Sequence, residues 1–217
     1  SHFFSNTNLN FQNNFFENSN LEINIEQVSH ETYLKKFKPP SDLIKNENLM
    51  NNFLKLDAYN EDTSLSLVLE SYENLSKPSS DRYEYIYPDL DFTKEFISND
   101  IPGYFSLSSS FFQKHFDTNK YTKSLITDLS YNADTKFGDK GLVKDFQILF
   151  KNPNIINKTG SNNESHEETK LLTKLMYSLS YPLKKEGLLY DKFLKPTLSL
   201  RYSPNNTKNI SSLDRVL

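Results

Sequence analysis

The histidines are the residues of this chain that could most readily hold a metal ion. Four are present, and none has a second histidine at the spacing of a metal-binding pair such as His-x-x-x-His; they are His2, His30, His115 and His166. His166 lies in the run Ser165-His166-Glu167-Glu168, which resembles a ligand cluster but is interpreted as part of a solvated loop. The sequence therefore predicts no metal site.

Serine and histidine could also act together as nucleophile and base, as in a barrel hydrolase. Ser108, Ser109 and Ser110 precede His115 on one predicted strand. Positions 110 and 115 have opposite parity, so their side chains point to opposite faces of a strand. The five glycines are scattered and form no phosphate-binding loop. We therefore expect a protein that is not an enzyme, with no catalytic residues and no cofactor.

Composition narrows the class of protein. The 217 residues are 36% hydrophobic and 14% aromatic, with a net charge of −3 and a mean hydropathy of −0.66. A disordered chain would have fewer aromatic residues and more net charge, and a nucleic-acid-binding protein would carry a basic patch. No run approaches the roughly 18 apolar residues of a membrane helix. A chain this polar and aromatic suits a transmembrane β-barrel, but also an Asn-rich β-sandwich.

Apolar residues recur at every second position, which is the period of a β-strand. Leu21, Ile23 and Ile25 alternate with Glu22, Asn24 and Glu26, and later segments repeat the pattern. The alternation predicts about ten strands, near residues 3–12, 21–26, 52–59, 65–70, 82–97, 103–116, 121–131, 142–150, 171–181 and 194–202. We expect an all-β antiparallel meander whose apolar side chains face away from an aqueous interior.

Two long connections and one proline interrupt these strands. Long loops are predicted near residues 29–51 and 153–168, and Tyr33 to Phe37 could form a short helical turn within the first. Apolar parity changes after Pro88, which predicts a β-bulge there. Tyr121 and Tyr131 share one face of a strand and are separated by about 33 Å at roughly 3.3 Å per residue. A strand tilted by about 40° then spans about 25 Å, the height of an outer-membrane apolar band.

Three stretches carry a resemblance to a known family. They are Ser80-Asp81-Arg82-Tyr83-Glu84-Tyr85-Ile86-Tyr87-Pro88, Leu194-Lys195-Pro196-Thr197-Leu198-Ser199-Leu200-Arg201-Tyr202-Ser203-Pro204, and the opening His2-Phe3-Phe4-Ser5-Asn6 with Glu31-Thr32-Tyr33-Leu34 downstream. Together they resemble the C-terminal outer-membrane β-barrel domain of the lipopolysaccharide-assembly proteins (LptD, or organic solvent tolerance, family). Residues 1–217 would then be a single segment of a large transmembrane barrel, an open curved sheet in isolation. The resemblance implies an N-terminal periplasmic domain and seam strands that this segment lacks.

The resemblance also implies a function, partners and a location. The segment would form part of the barrel wall of the translocon that inserts lipopolysaccharide into the outer leaflet of the bacterial outer membrane. The implied partners are lipopolysaccharide, an LptE-like plug lipoprotein and periplasmic bridge proteins. Some polar side chains would face the lumen and contact the headgroup or the plug: Arg82, Glu84, Asp128, Lys195 and Arg201. A solvated lumen without such contacts is the alternative for this face.

Two other classes remain open at this point. One is a different large outer-membrane barrel, a TonB-dependent receptor or a porin. The other is a soluble Asn-rich β-sandwich that serves as a binding or adhesion module. In a sandwich the apolar residues of two sheets meet across a core about 10 Å thick, whereas in a barrel wall they form an exposed belt. The two classes therefore differ in whether the following leucines pack against one another in a core or lie exposed: Leu21, Leu67, Leu125, Leu129 and Leu200.

Overall fold

A computed structural model describes residues 1–78, 81–98, 100–116, 120–133, 136–138, 141–158, 165–187 and 190–204, except the side chains of 136 and 137. Its one described helix is α1 (Tyr33–Phe37). The strands are β1 (His2–Phe11), β2 (Asn18–Val28), β3 (Leu49–Tyr59), β4 (Thr63–Asn74), β5 (Tyr83–Ile97), β6 (Gly103–Phe116), β7 (Lys120–Ala133), β8 (Lys136–Phe137), β9 (Val143–Lys158), β10 (His166–Thr169), β11 (Leu172–Ser180), β12 (Leu183–Lys185), β13 (Lys192–Leu194) and β14 (Thr197–Tyr202).

The strands form an antiparallel meander. The hydrogen-bonded order is β1-β2-β3-β4-β5-β6-β7-β9-β11-β14, with β8 and β10 also paired to β9, and β12 and β13 form a separate hairpin. This confirms the prediction of an all-β meander of about ten main strands. The order is open, because β1 and β14 stand at its two ends and do not pair in the part of the chain that the structure describes. None of the described helices is long and apolar enough to cross a membrane.

The chain divides into two compact units. The first comprises Ser1–Lys94, Ser108–Thr127 and Pro153–Thr169, and the second comprises Glu95–Leu107, Asp128–Asn152 and the chain from Lys170 onward. Each unit contains its own part of the meander.

Strand register in the first unit separates an apolar face from a polar face. Leu21 lies opposite Leu9 and Leu56, and Leu67 lies opposite Leu56 and Leu90. Because cross-strand partners share a face, the apolar face of β1–β5 is continuous. Its members include Leu9, Leu21, Ile23, Ile25, Leu54, Leu56, Leu65, Leu67, Leu69, Leu90 and Phe92. The alternate positions make up the polar face.

The apolar face of the first unit is not a packed core. Leu21 and Leu67 are only half-buried, and Leu125 remains 41% exposed. A cluster of buried apolar residues in this unit lies at one end of β3 and β4, where Leu34, Met50 and Leu75 pack at relative exposures of 1%, 0% and 6%. These half-exposed leucines therefore do not form a dry core between two sheets.

The second unit shows the same arrangement. Tyr177 on β11 lies opposite Phe146 on β9 and Leu200 on β14, and all three are exposed. Leu129 is 38% exposed and Leu200 is 71% exposed. Alternate positions of this part of β9 carry polar residues, including the buried Lys151. An exposed apolar face is therefore present in each unit.

The predicted irregularity at Pro88 is confirmed. Along β4–β5, Val68 pairs with Asp89 and Glu70 pairs with Ile86, so β5 has one more residue than β4 between these pairs. That extra residue lies at Tyr87 or Pro88, and it restores apolar parity for Leu90 beyond the bulge. Pro196 immediately precedes β14.

The predicted long loop at 153–168 is wrong in its described part, with residues 159–164 lying outside the described residues, and the other predicted loop is slightly too long. The region 153–168 is mostly strand in its described part, because β9 continues to Lys158 and β10 begins at His166 and pairs with it. Pro153 lies between the last β9–β11 pair, at Lys151, and the first β9–β10 pair, at Asn154. A missing N–H is tolerated at such a gap. The first connection ends at Asn48 rather than at residue 51, and it contains α1 where a helical turn was predicted.

Candidate binding surface

No catalytic or metal-binding set is apparent among the described histidines. His115 contacts Gln113, with 3.2 Å between Nε2 atoms, and its ring lies 5.9 Å from that of Tyr121. His30 contacts the Thr32 hydroxyl at 3.2 Å. The described residues contain no group of three His, Cys, Asp or Glu side chains that could hold a metal ion. The polar face of the first unit is therefore the strongest candidate for a functional surface.

The polar face of β1–β5 in the first unit is strongly acidic. It carries seven carboxylates and one lysine: Glu22, Glu26, Asp57, Glu70, Glu84, Asp89, Asp91 and Lys55. Asp57 pairs with Lys55 at 3.1 Å, and Glu84 pairs with Lys114 of β6 at 2.6 Å. The other five carboxylates make no ion pair with any cation in the described residues.

Neutral groups hold some of these carboxylates in place. Glu26 accepts a hydrogen bond from the backbone N–H of Asn51 at 2.7 Å and one from the Asn24 amide at 3.2 Å. Glu70 accepts a hydrogen bond from the Tyr72 hydroxyl at 2.9 Å. Glu26 thereby satisfies a backbone donor just beyond the last β2–β3 pair at Asn24. These contacts fix the side chains without neutralising them.

A cleft of about 550 Å³ opens on this polar face. Its walls combine strand residues with part of the connection between β2 and β3; the lining is Asn6, Glu22, Asn24, Glu26, Leu43, Lys45, Asn46, Leu49, Asn51, Phe53 and Tyr72. The Oδ1 atom of Asn51 is buried and accepts no hydrogen bond. The cleft therefore presents mainly hydrogen-bond acceptors, with Lys45 as its one cationic side chain.

The connection between β2 and β3 is anchored to the sheet at several points. Leu34 of α1 is buried against Met50 and Leu75, and the backbone N–H of Leu75 donates to the Asn48 carbonyl at 2.8 Å. Glu31 binds Arg82, with 2.5 Å between Oε2 and Nη2. One apolar contact, one backbone hydrogen bond and one ion pair thus attach the connection to the sheet. The attached connection forms one wall of the cleft.

Two of the predicted contact residues, Arg82 and Glu84, lie in this unit and both have ionic partners. Arg82 pairs with Glu31 and also with Glu73, at 3.8 Å. Its Nε atom is buried without a hydrogen-bond partner. Glu84 is paired with Lys114. A second cleft of about 240 Å³ is lined by both Arg82 and Glu84.

The other three predicted contact residues, Asp128, Lys195 and Arg201, lie in the second unit. Asp128 accepts a hydrogen bond from Lys151 at 2.9 Å, and the Lys151 side chain is only 7% exposed. Lys195 is exposed just before β14, and Arg201 is exposed on β14 opposite Met176. The structure thus brings Arg82 and Glu84 to one cleft, but does not collect Asp128, Lys195 and Arg201 into one described pocket.

Two ionisable groups outside the long strands have shifted pKa values. The Thr63 hydroxyl, at 2.7 Å, and then Lys94, at 3.3 Å, lower the pKa of Asp62 in the turn between β3 and β4. Glu186 and then Asp191 raise the pKa of Lys184 in the β12–β13 hairpin. Each shift follows from hydrogen bonds to the charged form of the group. Both groups are solvent-exposed, so they mark local contacts rather than a reactive site.

Sequence reasoning missed several residues that organise this surface. Lys151 carries no signal of its pairing, since its partner is 23 positions away. Glu31 and Asn51 were also overlooked, because both lie within the region assigned to a loop. The sequence did carry a signal of the acidic polar face. Glu22 and Glu26, and likewise Asp89 and Asp91, are an even number of positions apart and so share one face of a strand.

Neither the models of protein families nor the curated proteins contain one that matches this chain. The functional proposal therefore depends on the sheet, its two faces and the resemblance described above.

Proposed function

We propose that this chain is part of a transmembrane β-barrel wall in the bacterial outer membrane, and that the barrel belongs to the translocon that inserts lipopolysaccharide into the outer leaflet. The observation that carries the barrel is the half-exposed apolar face of the meander. A soluble monomer rarely exposes a continuous apolar surface larger than a few hundred Å². Contact with the hydrocarbon of a membrane would bury such a face and so account for it.

Three features support a membrane wall over a soluble sandwich. The apolar positions of β2–β5 lie in register across four neighbouring strands. Tyr83, Tyr85 and Tyr87 form a stacked ladder at the start of β5, with ring centroids 6.1 and 5.6 Å apart. Phe96, Phe105 and Tyr131 form a second aromatic cluster in the other unit. Aromatic residues flank the apolar band of outer-membrane barrels.

The assignment to lipopolysaccharide insertion comes from the resemblance of the stretches around Arg82 and Arg201. The test is conditional depletion of the full-length protein in its own bacterium. Newly made lipopolysaccharide should then fail to reach the cell surface, measured by its modification by an enzyme that acts only in the outer leaflet. Normal levels of other outer-membrane barrels serve as the control for general envelope damage.

The same depletion separates this function from that of another large barrel. A TonB-dependent receptor or porin would leave lipopolysaccharide export unchanged, while uptake of a solute would fall. Normal surface lipopolysaccharide after full depletion would refute the proposal for the translocon and leave the barrel wall intact. Recovery of the protein in the soluble fraction of lysed cells, without detergent, would refute the barrel itself.

A further inference from the structure

The β12–β13 hairpin of the second unit continues the β11–β14 pair in the same register. Pairing of β11 with β14 ends at Ser180, and pairing of β12 with β13 resumes at Leu183 opposite Leu194, three residues further on in each strand. Between them the backbone N–H of Tyr181 donates to the Pro196 carbonyl at 3.0 Å. Because neither strand gains a residue, alternate residues keep their parity through both pairs. The apolar face of β11 and β14 therefore continues onto the hairpin.

This apolar face becomes basic toward the hairpin. Across the described parts of β9, β11, β12, β13 and β14, the lysines on the face lie at that end alone. Lys144 of β9 lies opposite Leu179, and Lys185 lies opposite Lys192 within the hairpin. Directly opposite residues of an antiparallel pair have Cβ atoms about 4.5–5.5 Å apart, and like charges there are destabilising. The sheet thus holds two ammonium side chains side by side.

The carboxylates of the hairpin do not neutralise this lysine pair. Glu186 and Asp191 both bind the Lys184 ammonium, each at 3.0 Å. Lys184 is adjacent to Lys185 and so lies on the opposite face of the strand. Within the part of the chain that the structure describes, Lys185 and Lys192 make no ion pair with a carboxylate. A bound anion would therefore relieve their repulsion.

The neighbours of the lysine pair on this face are apolar and exposed. Leu183 and Leu194 precede it, with exposures of 44% and 63%. Tyr190 is exposed as well, and its ring centroid lies 5.5 Å from the Lys192 ammonium. A free anion would leave these leucines in water, whereas a lipid supplies both a phosphate and hydrocarbon. Lysine and tyrosine, with apolar bodies and polar tips, are suited to a membrane interface.

The position of the hairpin indicates which leaflet it meets. Because neighbouring strands of the meander alternate in direction, the β11–β14 connection leaves the second unit at the same end as the β5–β6 connection. The β5–β6 connection covers only residues 98–102, whereas the hairpin connection covers 181–196. Short turns of outer-membrane barrels lie on the periplasmic side. Lipopolysaccharide is inserted into the outer leaflet, so the phosphates at this end are those of phospholipids.

We infer that the β12–β13 hairpin binds an anionic phospholipid headgroup of the periplasmic leaflet. The Lys185–Lys192 pair holds the phosphate as two point charges, and Leu183 and Leu194 contact the acyl chains. The inference rests on the proposed barrel, in which the apolar face contacts hydrocarbon. It does not depend on a role of that barrel in lipopolysaccharide export.

Binding of phosphatidylglycerol to the full-length protein in neutral-detergent micelles tests the inference. The lipid carries a fluorophore on one acyl chain, and binding is followed by fluorescence anisotropy; phosphatidylcholine with the same fluorophore is the neutral control. Lys192→Gln should weaken phosphatidylglycerol binding by roughly fivefold, and Lys185→Gln with Lys192→Gln by roughly 20- to 30-fold, because each lysine contributes separately to the attraction. Lys185→Arg with Lys192→Arg keeps both charges and should bind within about twofold of the parent.

Lys174→Gln is the matched control for Lys192→Gln. It removes one positive charge from β11, at a position that alternates with Leu175 and so lies on the other face. Residue 174 is about 36 Å from residue 185 at roughly 3.3 Å per residue, far beyond a Debye length of about 8 Å. Its phosphatidylglycerol binding should stay within about twofold of the parent. If the double glutamine variant is poorly folded by circular dichroism, the single variants Lys185→Gln and Lys192→Gln replace it.

The outcomes decide the inference separately from the proposed function. Equal losses in Lys192→Gln and Lys174→Gln would show that only total charge matters, and would overturn it. Equal binding of phosphatidylcholine and phosphatidylglycerol by the parent would overturn it too. Displacement of the labelled lipid by less lipopolysaccharide than unlabelled phosphatidylglycerol would make lipopolysaccharide the ligand and also overturn it. The depletion experiment has a different readout, so lipopolysaccharide export can fail its test while phospholipid binding passes.

Discussion

Arginine substitution along one strand measures whether the apolar face contacts hydrocarbon. On β4 the apolar residues Leu65, Leu67 and Leu69 lie between the polar residues Thr63 and Ser71. From residue 63 to residue 71 the strand extends about 26 Å at roughly 3.3 Å per residue. At a tilt of about 40° this is about 20 Å along the membrane normal. Leu67 is the midpoint of the band.

The expected cost depends on depth. Leu67→Arg should lower the free energy of unfolding by roughly 2–4 kcal/mol, and Thr63→Arg by about 0–1 kcal/mol. The cost expected for Leu67→Arg corresponds to a loss of roughly 30- to 900-fold in the folding equilibrium constant. Val68→Arg is the matched control, since Val68 belongs to the polar face and lies opposite Lys55 and Asp89. Its cost should stay near 0.5 kcal/mol.

The assay is urea unfolding of the full-length protein folded into phospholipid vesicles, followed by far-UV circular dichroism. The series is repeated in bilayers with shorter and longer acyl chains. The cost of Leu65→Arg should rise in the thicker bilayer, because that residue then lies deeper in hydrocarbon. A cost that is independent of bilayer thickness, or equal for Leu67→Arg and Thr63→Arg, would refute the membrane-facing assignment.

Three further predictions concern individual contacts. Asp128→Ala should cost roughly 3 kcal/mol in urea unfolding, because it removes the carboxylate that pairs with the buried Lys151 ammonium. Gly103→Ala should cost roughly 1–3 kcal/mol or more in the same assay, because Gly103 has φ +118° and an added Cβ would lie 2.2 Å from a backbone oxygen. Thr63→Val should raise the pKa of Asp62 in a ¹³C NMR titration, because the Thr63 hydroxyl is the main cause of its lowering. The Asp62 contribution to stability is present above the ordinary aspartate pKa and lost as pH falls through the lowered value, so Thr63→Val should also weaken this acid dependence.

Each of these three predictions has a control. Asp128→Asn also removes the negative charge, so its cost should be close to that of Asp128→Ala, and a negligible cost of Asp128→Asn would contradict the ion-pair explanation. Gly141 has φ +83° with open space around it, so Gly141→Ala should cost less than Gly103→Ala, and the reverse order would exclude the clash. Lys94→Met should also raise the Asp62 pKa, since Lys94 lowers it both by a hydrogen bond and by its charge, and an Asp62 pKa that is unchanged in both variants would contradict this assignment.

Alternation along the chain predicted most of the fold because it is a local property. The parity change after Pro88 indicated the bulge, and the run Tyr33 to Phe37 indicated α1. The prediction for the region after residue 150 was wrong because Pro153 and its neighbouring asparagines are residue types typical of loops. In the structure Asn152 donates to the Lys170 carbonyl at 2.8 Å, so the polar side chain supports the sheet. Residues typical of turns thus led to a wrong prediction at the point where β9 changes its partner from β11 to β10.

The candidate site was harder to predict because charge pairing depends on distant segments. Arg82 was predicted to contact the headgroup or the plug, yet Glu31, 51 positions earlier, binds it. Lys114 similarly binds Glu84 from the next strand. These pairs require the register of the sheet and the position of the connection between β2 and β3. Neither can be deduced from the period of a single strand.

The acidic face shows why register carries functional information that composition lacks. Basic residues elsewhere in the chain bring the net charge close to zero, so the total predicts no preference for a charged partner. Pairing in register places Asp57, Asp89 and Asp91 on one surface and leaves Lys94 on the other. The repulsion among these carboxylates lowers the stability of the sheet alone and is relieved when cations approach.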